Sequence, residues 1–343
     1  MAASGDLAPD SSNATRPGRS AGWKSLLGNR LLLALLAVSL LPLALTGILL
    51  HRFSSAALER QAFQKLETVN TITAKSVERY FATLHEQLQV LSEDLMIRDA
   101  LKQFRGGFAG VLTDVKADGD AIAKARRDLE SFYTGEFAAL LRSRGVETVA
   151  TKPLAETLDD APAYLQYLYI RRNEHPLGSK HLLDAAADAS AYTKTHAEYH
   201  PILRSLRDKF GVSDLFLIDA ESGDVVYNVS KEIDFAANLR RGPLAETSLG
   251  LAFKEAAAAG RRDAVAWGSY ARYLPSANEP AGFIAAPIFE GRRVIGVVAF
   301  QMPIDRADAI ISETTGMGRT GETYAIGADR LFRSNSRFAA EMG

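Results

Sequence analysis

His196 and His200 stand four residues apart, the spacing that sets two imidazoles on one helix face. A zinc hydrolase of the HExxH type needs glutamate directly after the first histidine. Here Ala197 follows and Glu198 comes one place later, so a general base would point elsewhere. Asp184 and Asp188 are the carboxylates that would complete a structural or regulatory metal set. The plainer reading is a pair of helix-surface or capping histidines beside Pro201, with no metal and no cofactor. Asp219-Ala-Glu221-Ser-Gly223-Asp224 has oxygen-bearing side chains in a calcium-loop rhythm, but glycine falls fifth rather than sixth; it reads as a hairpin turn. Gly316, Gly318 and Gly321 fit G-x-G-x-x-G, yet they follow a helix and open a strand, the reverse of a dinucleotide fingerprint. They read as a junction. The aromatic residues are more useful. Trp267, Tyr270 and Tyr273 share one strand, Tyr227 and Phe300 lie on others, and Tyr164 and Tyr167 belong to a helical segment facing them. With Lys231, Gln301 or Asp305 as polar groups, they could line a small-ligand pocket; the alternative is that they fill the core. No serine has a Ser-His-Asp context, and the carboxylates are spread as solvated helix faces. The sequence therefore points to a binding protein rather than an enzyme. An extracytoplasmic metal-dependent enzyme around His196 and His200 is the reading of another class.

The whole chain has 343 residues, 40 basic and 41 acidic side chains and no cysteine. That balance argues against a nucleic-acid footprint. The missing cysteine excludes disulfides, thiolate zinc sites and a cysteine nucleophile.

The average hides Leu31 to Leu50, LLLALLAVSLLPLALTGILL, twenty residues without a charge. Such a run covers about 30 Å as a helix, the thickness of a hydrocarbon core. Residues 1–30 carry Arg16, Arg19, Lys24 and Arg30 against Asp6 and Asp10. This basic excess assigns 1–30 to a cytoplasmic tail, 31–50 to a transmembrane helix and the rest to the outside. A cleaved signal peptide is the alternative, though the run is long for one and no clean cleavage site follows.

Beyond the span, residues 51–104 are expected to form a long outer helix, about 60 Å over 55–95. Its seam is Val77, Phe81, Leu84, Leu88, Leu91 and Leu95, spaced by four and three, and Gly106 and Gly107 should break it. The seam could pair with a second copy, making a homodimer, or the later domain could lie along it. Residues 120–210 read as helices over 121–142, 164–170 and 191–210, the last interrupted by Pro201 and ended by Gly211. The period then changes to two. Strands are expected over 214–218, 225–229, 264–273, 283–289 and 293–301, with a helix near 249–259. Five antiparallel strands with helices on one face make an α+β module.

Two stretches carry a family likeness: YLQYLYIRRNEHPLGSKHLLDAAADASAYTKTHAEYHPILRSLRDKFGVSDLFLIDAESGDVVYNVSKEIDF and FIAAPIFEGRRVIGVVAFQMPIDR. Over about residues 55–338 the chain resembles the double Cache sensor domain of bacterial transmembrane receptors. These are methyl-accepting chemotaxis proteins and relatives fused to histidine kinases or nucleotide and diguanylate cyclases. The resemblance implies a PAS-like sheet in a membrane-distal module at 105–303, holding a small ligand outside the bacterial inner membrane. A linker helix and the start of a second module would follow at 304–343, where GETYAIGADRLFRSNSRF weakly repeats DLFLIDAESGDVVYNVSK. It also implies a longer receptor of which this chain is a fragment, with a second span and an output domain beyond. The arginine–tryptophan–tyrosine pattern by which many family members hold an amino acid is not found, so amino-acid specificity is not expected.

Overall fold

A computed structural model describes residues 21–338, except 148, 314, 316, 328, 329, 331, 335 and 337. Most of the expected tail, part of the glycine motif at Gly316 and part of the expected repeat at 328–337 therefore lie outside the described residues. The chain divides into two compact units, 1–68 and 69–343. The first is occupied by helix α1, which as a whole runs Ala21–Glu93. Its large apolar side chains between Leu31 and Leu50 are exposed, from 44% at Leu36 to 76% at Val38. It is long and apolar enough to cross a membrane. Pro42 sits inside it, and the Thr46 hydroxyl donates to the Pro42 carbonyl at 2.7 Å.

In the second unit, α1 buries Leu84, Leu88 and Leu91, the distal half of the expected seam. Leu95 departs from the seam and is 64% exposed. The cause is Asp94, whose carboxylate accepts from the Met96 and Ile97 amides and starts a new helix, α2 (Leu95–Asp114). Restarting the helix resets the phase. The expected break at Gly106 and Gly107 does not occur; α2 runs through both. The two glycines do different things. A Cβ on Gly106 would meet nothing within 4 Å, whereas one on Gly107 would lie 2.7 Å from the Tyr192 backbone. Gly107 lets α2 approach α7 (Ala191–Phe210) backbone to backbone.

Between them come α3 (Gly119–Phe132), α4 (Ala138–Ser143), α5 (Lys152–Glu156) and α6 (Asp160–Gln166). Single π-helical turns follow α3 and α6, at Tyr133–Phe137 and Tyr167–Arg171. Pro201 does not interrupt α7, as had been expected. Both Pro201 and Ala197, whose carbonyl loses its partner, lie on the exposed face, where water can replace the bond. Gly211, at φ 68°, ends the helix.

The sheet is antiparallel, ordered β2-β1-β5-β4-β3, with β1 (Asp214–Asp219), β2 (Val225–Asn228), β3 (Ala266–Tyr273), β4 (Glu279–Glu290) and β5 (Arg293–Met302). Helix α8 (Ser248–Ala257) joins β2 to β3, and α9 (Ile304–Ile311) follows β5. The fold is α+β. Helices cover both faces of the sheet, not one as expected. Leu215, Leu217, Ile284, Val298 and Phe300 face α1, α2 and α7. Phe216, Ile218, Phe283, Ala285, Val297 and Ala299 face α8 through Leu249, Ala252 and Phe253. The signal was in the strands, which run apolar without alternation, as doubly covered strands do. After α9, Ile326 and Phe332 form an isolated antiparallel bridge.

The two glycines should separate in a stability measurement. Gly107→Ala is expected to cost about 1–3 kcal/mol by overpacking, while Gly106→Ala should stabilise by about 0.5–1 kcal/mol. Chemical denaturation of the full chain in detergent checks this; equal effects would contradict the close approach of α2 and α7.

Candidate functional site

The segment after β2, Ser230 to Ala237, folds back along the outer edge of that strand. The Ala236 amide donates to the Val225 carbonyl at 3.1 Å, and the Val225 amide donates to the Ala237 carbonyl at 2.9 Å. The edge is thereby covered. The segment carries two non-glycine residues in the left-handed region, Lys231 at φ 57° and Ala236 at φ 60°. Each costs on the order of 1 kcal/mol, and such strain concentrates where a chain holds a ligand or a switch.

Helical side chains fix it from one side. Gln166, fully buried, donates from Nε2 to the carbonyls of Ile233 (3.0 Å) and Phe235 (2.7 Å), and its Oε1 accepts from Tyr133 at 2.8 Å. Tyr133 comes from the first π-turn, and Gln166 immediately precedes the second. Such turns recur at functional sites because one extra residue re-aims the side chains.

Lys231 is buried. Its ammonium donates to the Asn228 carbonyl and lies 4.2 Å from the Tyr227 ring centre and 4.9 Å from that of Phe235. Burial pulls Lys231 down to about 7. Asp234 accepts from the Asn228 amide and the Tyr273 hydroxyl, both at 2.8 Å, and burial followed by the charge of Asp214 pushes it up to about 7. Asp214 accepts the Leu215, Val229 and Ser230 amides at 2.7, 2.9 and 3.0 Å, and burial raises it to about 6. Its other oxygen has no hydrogen-bond partner among the described residues.

Behind Lys231 lie the two histidines. They are buried, not on the helix surface, because α7 turns this face into the core. Their rings stack at 4.3 Å. Tyr227 donates to His200 Nδ1 at 2.7 Å, His200 Nε2 donates to the His181 carbonyl at 2.7 Å, and His196 Nδ1 donates to the Asp184 carbonyl at 2.6 Å. Both nitrogens of His200 are thus engaged in hydrogen bonds, which is not the arrangement of a metal ligand. Burial, reinforced by the charge of Lys231, pushes both histidines down, His200 to about 2.

In front of the segment lies a cavity of about 310 Å³, walled by Phe132, Phe137, Leu140 and Ile170 from the helices and by Ser230, Lys231, Glu232 and Ile233. Ser213, Ser276 and Gln301 complete its polar side. Gln301 donates to the Ser276 hydroxyl at 3.0 Å, which donates to Glu232 at 2.7 Å. Burial, with the Asp234 charge behind it, raises Glu232 well above the usual carboxylate range. An Arg144–Glu279 ion pair at 2.5 Å stands at the rim. The cavity offers a carboxyl, hydroxyls and an amide on one wall and apolar rings on the other, the composition of a small-molecule site.

Of the residues expected from sequence to bind a ligand, Lys231 and Gln301 line this cavity, while Tyr227 is buried behind Lys231, against its ammonium and His200. Four others lie elsewhere. Trp267 is 45% exposed, against Phe81 and His85 of α1. Tyr270 packs over Gly282, and Tyr167 lies beside Lys124 and Arg172. Asp305 is exposed at the start of α9. Gln166, Glu232, Asp234, Asp214 and Ser276 were not anticipated. The available signal was KEID, three charged residues within VVYNVSKEIDF, a stretch whose other residues are apolar apart from Asn228 and Ser230.

No family model matches the chain, and no curated protein does. Among solved structures it is similar to the sensor domain of the Vibrio cholerae histidine kinase DctB, at 14% identity and a TM-score of 0.28. That match covers 54% of this chain and 62% of the other, so the chain spans less than two thirds of that domain. It is also similar to the sensory domain of the Campylobacter jejuni chemoreceptor Tlp3, at 12% identity, 69% and 76% coverage and a TM-score of 0.30. A second Tlp3 structure, a complex with 4-methylisoleucine, matches at 9% identity, 68% and 70% coverage and a TM-score of 0.29. These neighbours are sensor domains.

The buried charges set opposite pH signatures. Asp234, raised when folded, destabilises as pH climbs from about 4 to about 7. Relative to the native chain, Asp234→Asn should therefore gain stability with rising pH. Lys231, lowered when folded, destabilises as pH falls from about 10 to about 7. Lys231→Met should gain, relative to the native chain, as pH falls. Denaturation at a series of pH values checks both slopes; parallel slopes would contradict this assignment.

Proposed function

We propose that the chain is the extracytoplasmic ligand-sensing part of a bacterial transmembrane signalling receptor, most simply a chemoreceptor of the methyl-accepting kind, and not an enzyme. The observation that carries this is the cavity before Glu232. Its walls are a strained segment, two π-turns and a relay of polar side chains, in which the Ser276 hydroxyl is tied to Glu232 and no histidine stands among the described lining residues. In this reading the exposed apolar run Leu31–Leu50 is the inner-membrane span, with the tail inside and the sensor outside. The membrane-distal module covers 105–303 and a second module begins within 304–343. The Ile326–Phe332 bridge is the kind of pairing a first hairpin would make. Exposed Phe63 and Leu66 on α1 suit a homodimer through the outer helix. A histidine kinase or a nucleotide or diguanylate cyclase is the alternative output.

The ligand is a small polar molecule with an apolar part, and it signals by binding one packing of the helices better than another. Only that differential affinity can shift the equilibrium. Thermal-shift screening of the full chain in nanodiscs against amines, organic acids, sugars and purines should find a stabilising compound. Ser276→Ala and Gln301→Ala should each weaken its binding about tenfold, the loss of one buried hydrogen-bonding partner, while Trp267→Ala leaves it unchanged. A compound insensitive to both cavity variants, or no stabilising compound at all, would contradict the assignment.

A further inference from the structure

On the other side of Ile233 lies a second cavity, of about 280 Å³, between α5 and α6 and the segment 233–244. Leu154, Leu158, Pro162, Ile233, Ala237 and Leu244 supply its carbon walls. Its polar side chains are already satisfied. Thr157 donates to the Leu154 carbonyl at 3.0 Å, Tyr133 donates to Gln166 at 2.8 Å, and Asn238 donates to Asp224 at 2.6 Å. Arg241 donates to Asp159 at 2.5 Å, and both of these side chains are mostly exposed. This pair joins the helical wall to the loop wall at the rim, and an exposed ion pair is a weak latch. What remains for an occupant is mostly apolar surface in a half-open pocket, and among the described residues that line it no buried side-chain donor or acceptor is left without a partner to reward a polar one. A dry cavity of about 150 Å³ already holds benzene, so this one has room for a fused bicycle.

We propose that this cavity is a second binding site, separate from the polar one, for a small uncharged aromatic or alicyclic molecule admitted past the Asp159–Arg241 pair. An occupant presses on Ile233, the residue that walls both cavities. The two sites are thereby coupled, and any such coupling is reciprocal.

Indole is the probe, titrated into the full chain in deuterated nanodiscs with labelled leucine and isoleucine methyls. The expected result is saturable shifts at Leu154, Leu158, Ile233 and Leu244. Leu158→Trp, which fills the cavity, should weaken indole binding at least about tenfold. Thr157→Trp, on the exposed edge, serves the same purpose if the first variant folds poorly. Gln301→Ala should leave indole binding unchanged, which separates this site from the polar cavity. Three results would overturn the proposal. They are shifts confined to Leu31–Leu50, meaning partition into the bilayer; binding insensitive to both tryptophan variants; or purine, of similar size but richer in acceptors, binding as tightly as indole.

Discussion

One buried amide joins the two layers that make the cavities. Gln166 spends both Nε2 protons on the carbonyls of Ile233 and Phe235 and its oxygen on Tyr133. A fully buried amide that lost one of these partners would leave a polar atom without water or protein, at a cost of about 1–3 kcal/mol. The strained segment Lys231–Ala236 stays in place because this amide and the edge of β2 both hold it. Release of either would let Lys231 and Ala236 relax toward ordinary backbone and collapse the wall between the two cavities.

Around that wall the electrostatics are compensated but not inert. Asp214, Lys231 and Asp234 form a buried charged cluster whose members are all pushed toward neutrality by burial. The aromatic rings of Tyr227 and Phe235 shield the lysine, and the histidine pair behind it stays unprotonated. Such a cluster tolerates little rearrangement without moving a proton. In the proposed sensor, a ligand that displaces Glu232 or Ser276 reaches this layer through the charge coupling of Glu232 to Asp234.

Much of this architecture was legible in the sequence. The five strands and the two helices α7 and α8 fall where period and turn residues place them, and Gly211 ends α7 as a left-handed glycine should. Four features were not legible, each for a physical reason. Gly106 and Gly107 look alike as a breaker pair, yet one is exposed and the other admits the Tyr192 backbone; only the packing partner distinguishes them. Asp94 was hidden inside a helical pattern because a cap and a helix-surface carboxylate share one letter. Trp267 looked like a pocket residue on aromatic character alone, whereas its strand turns it toward α1. Lys231 and Gln301 read as polar groups near aromatic ones, but Glu232, which Gln301 reaches only through the Ser276 hydroxyl, did not, since that relay depends on where the turn after β3 sets Ser276.

In the proposed sensor, the segment 230–237, clamped by Gln166, is the part of the molecule that responds to a ligand. Hydrogen exchange of the full chain, with and without a compound that stabilises it, tests this most directly. Slower exchange at the backbone amides of 230–237, and at the two π-turns that face the cavity, is the predicted result. Protection confined to α1 and the neighbourhood of Trp267, with 230–237 unchanged, would contradict it.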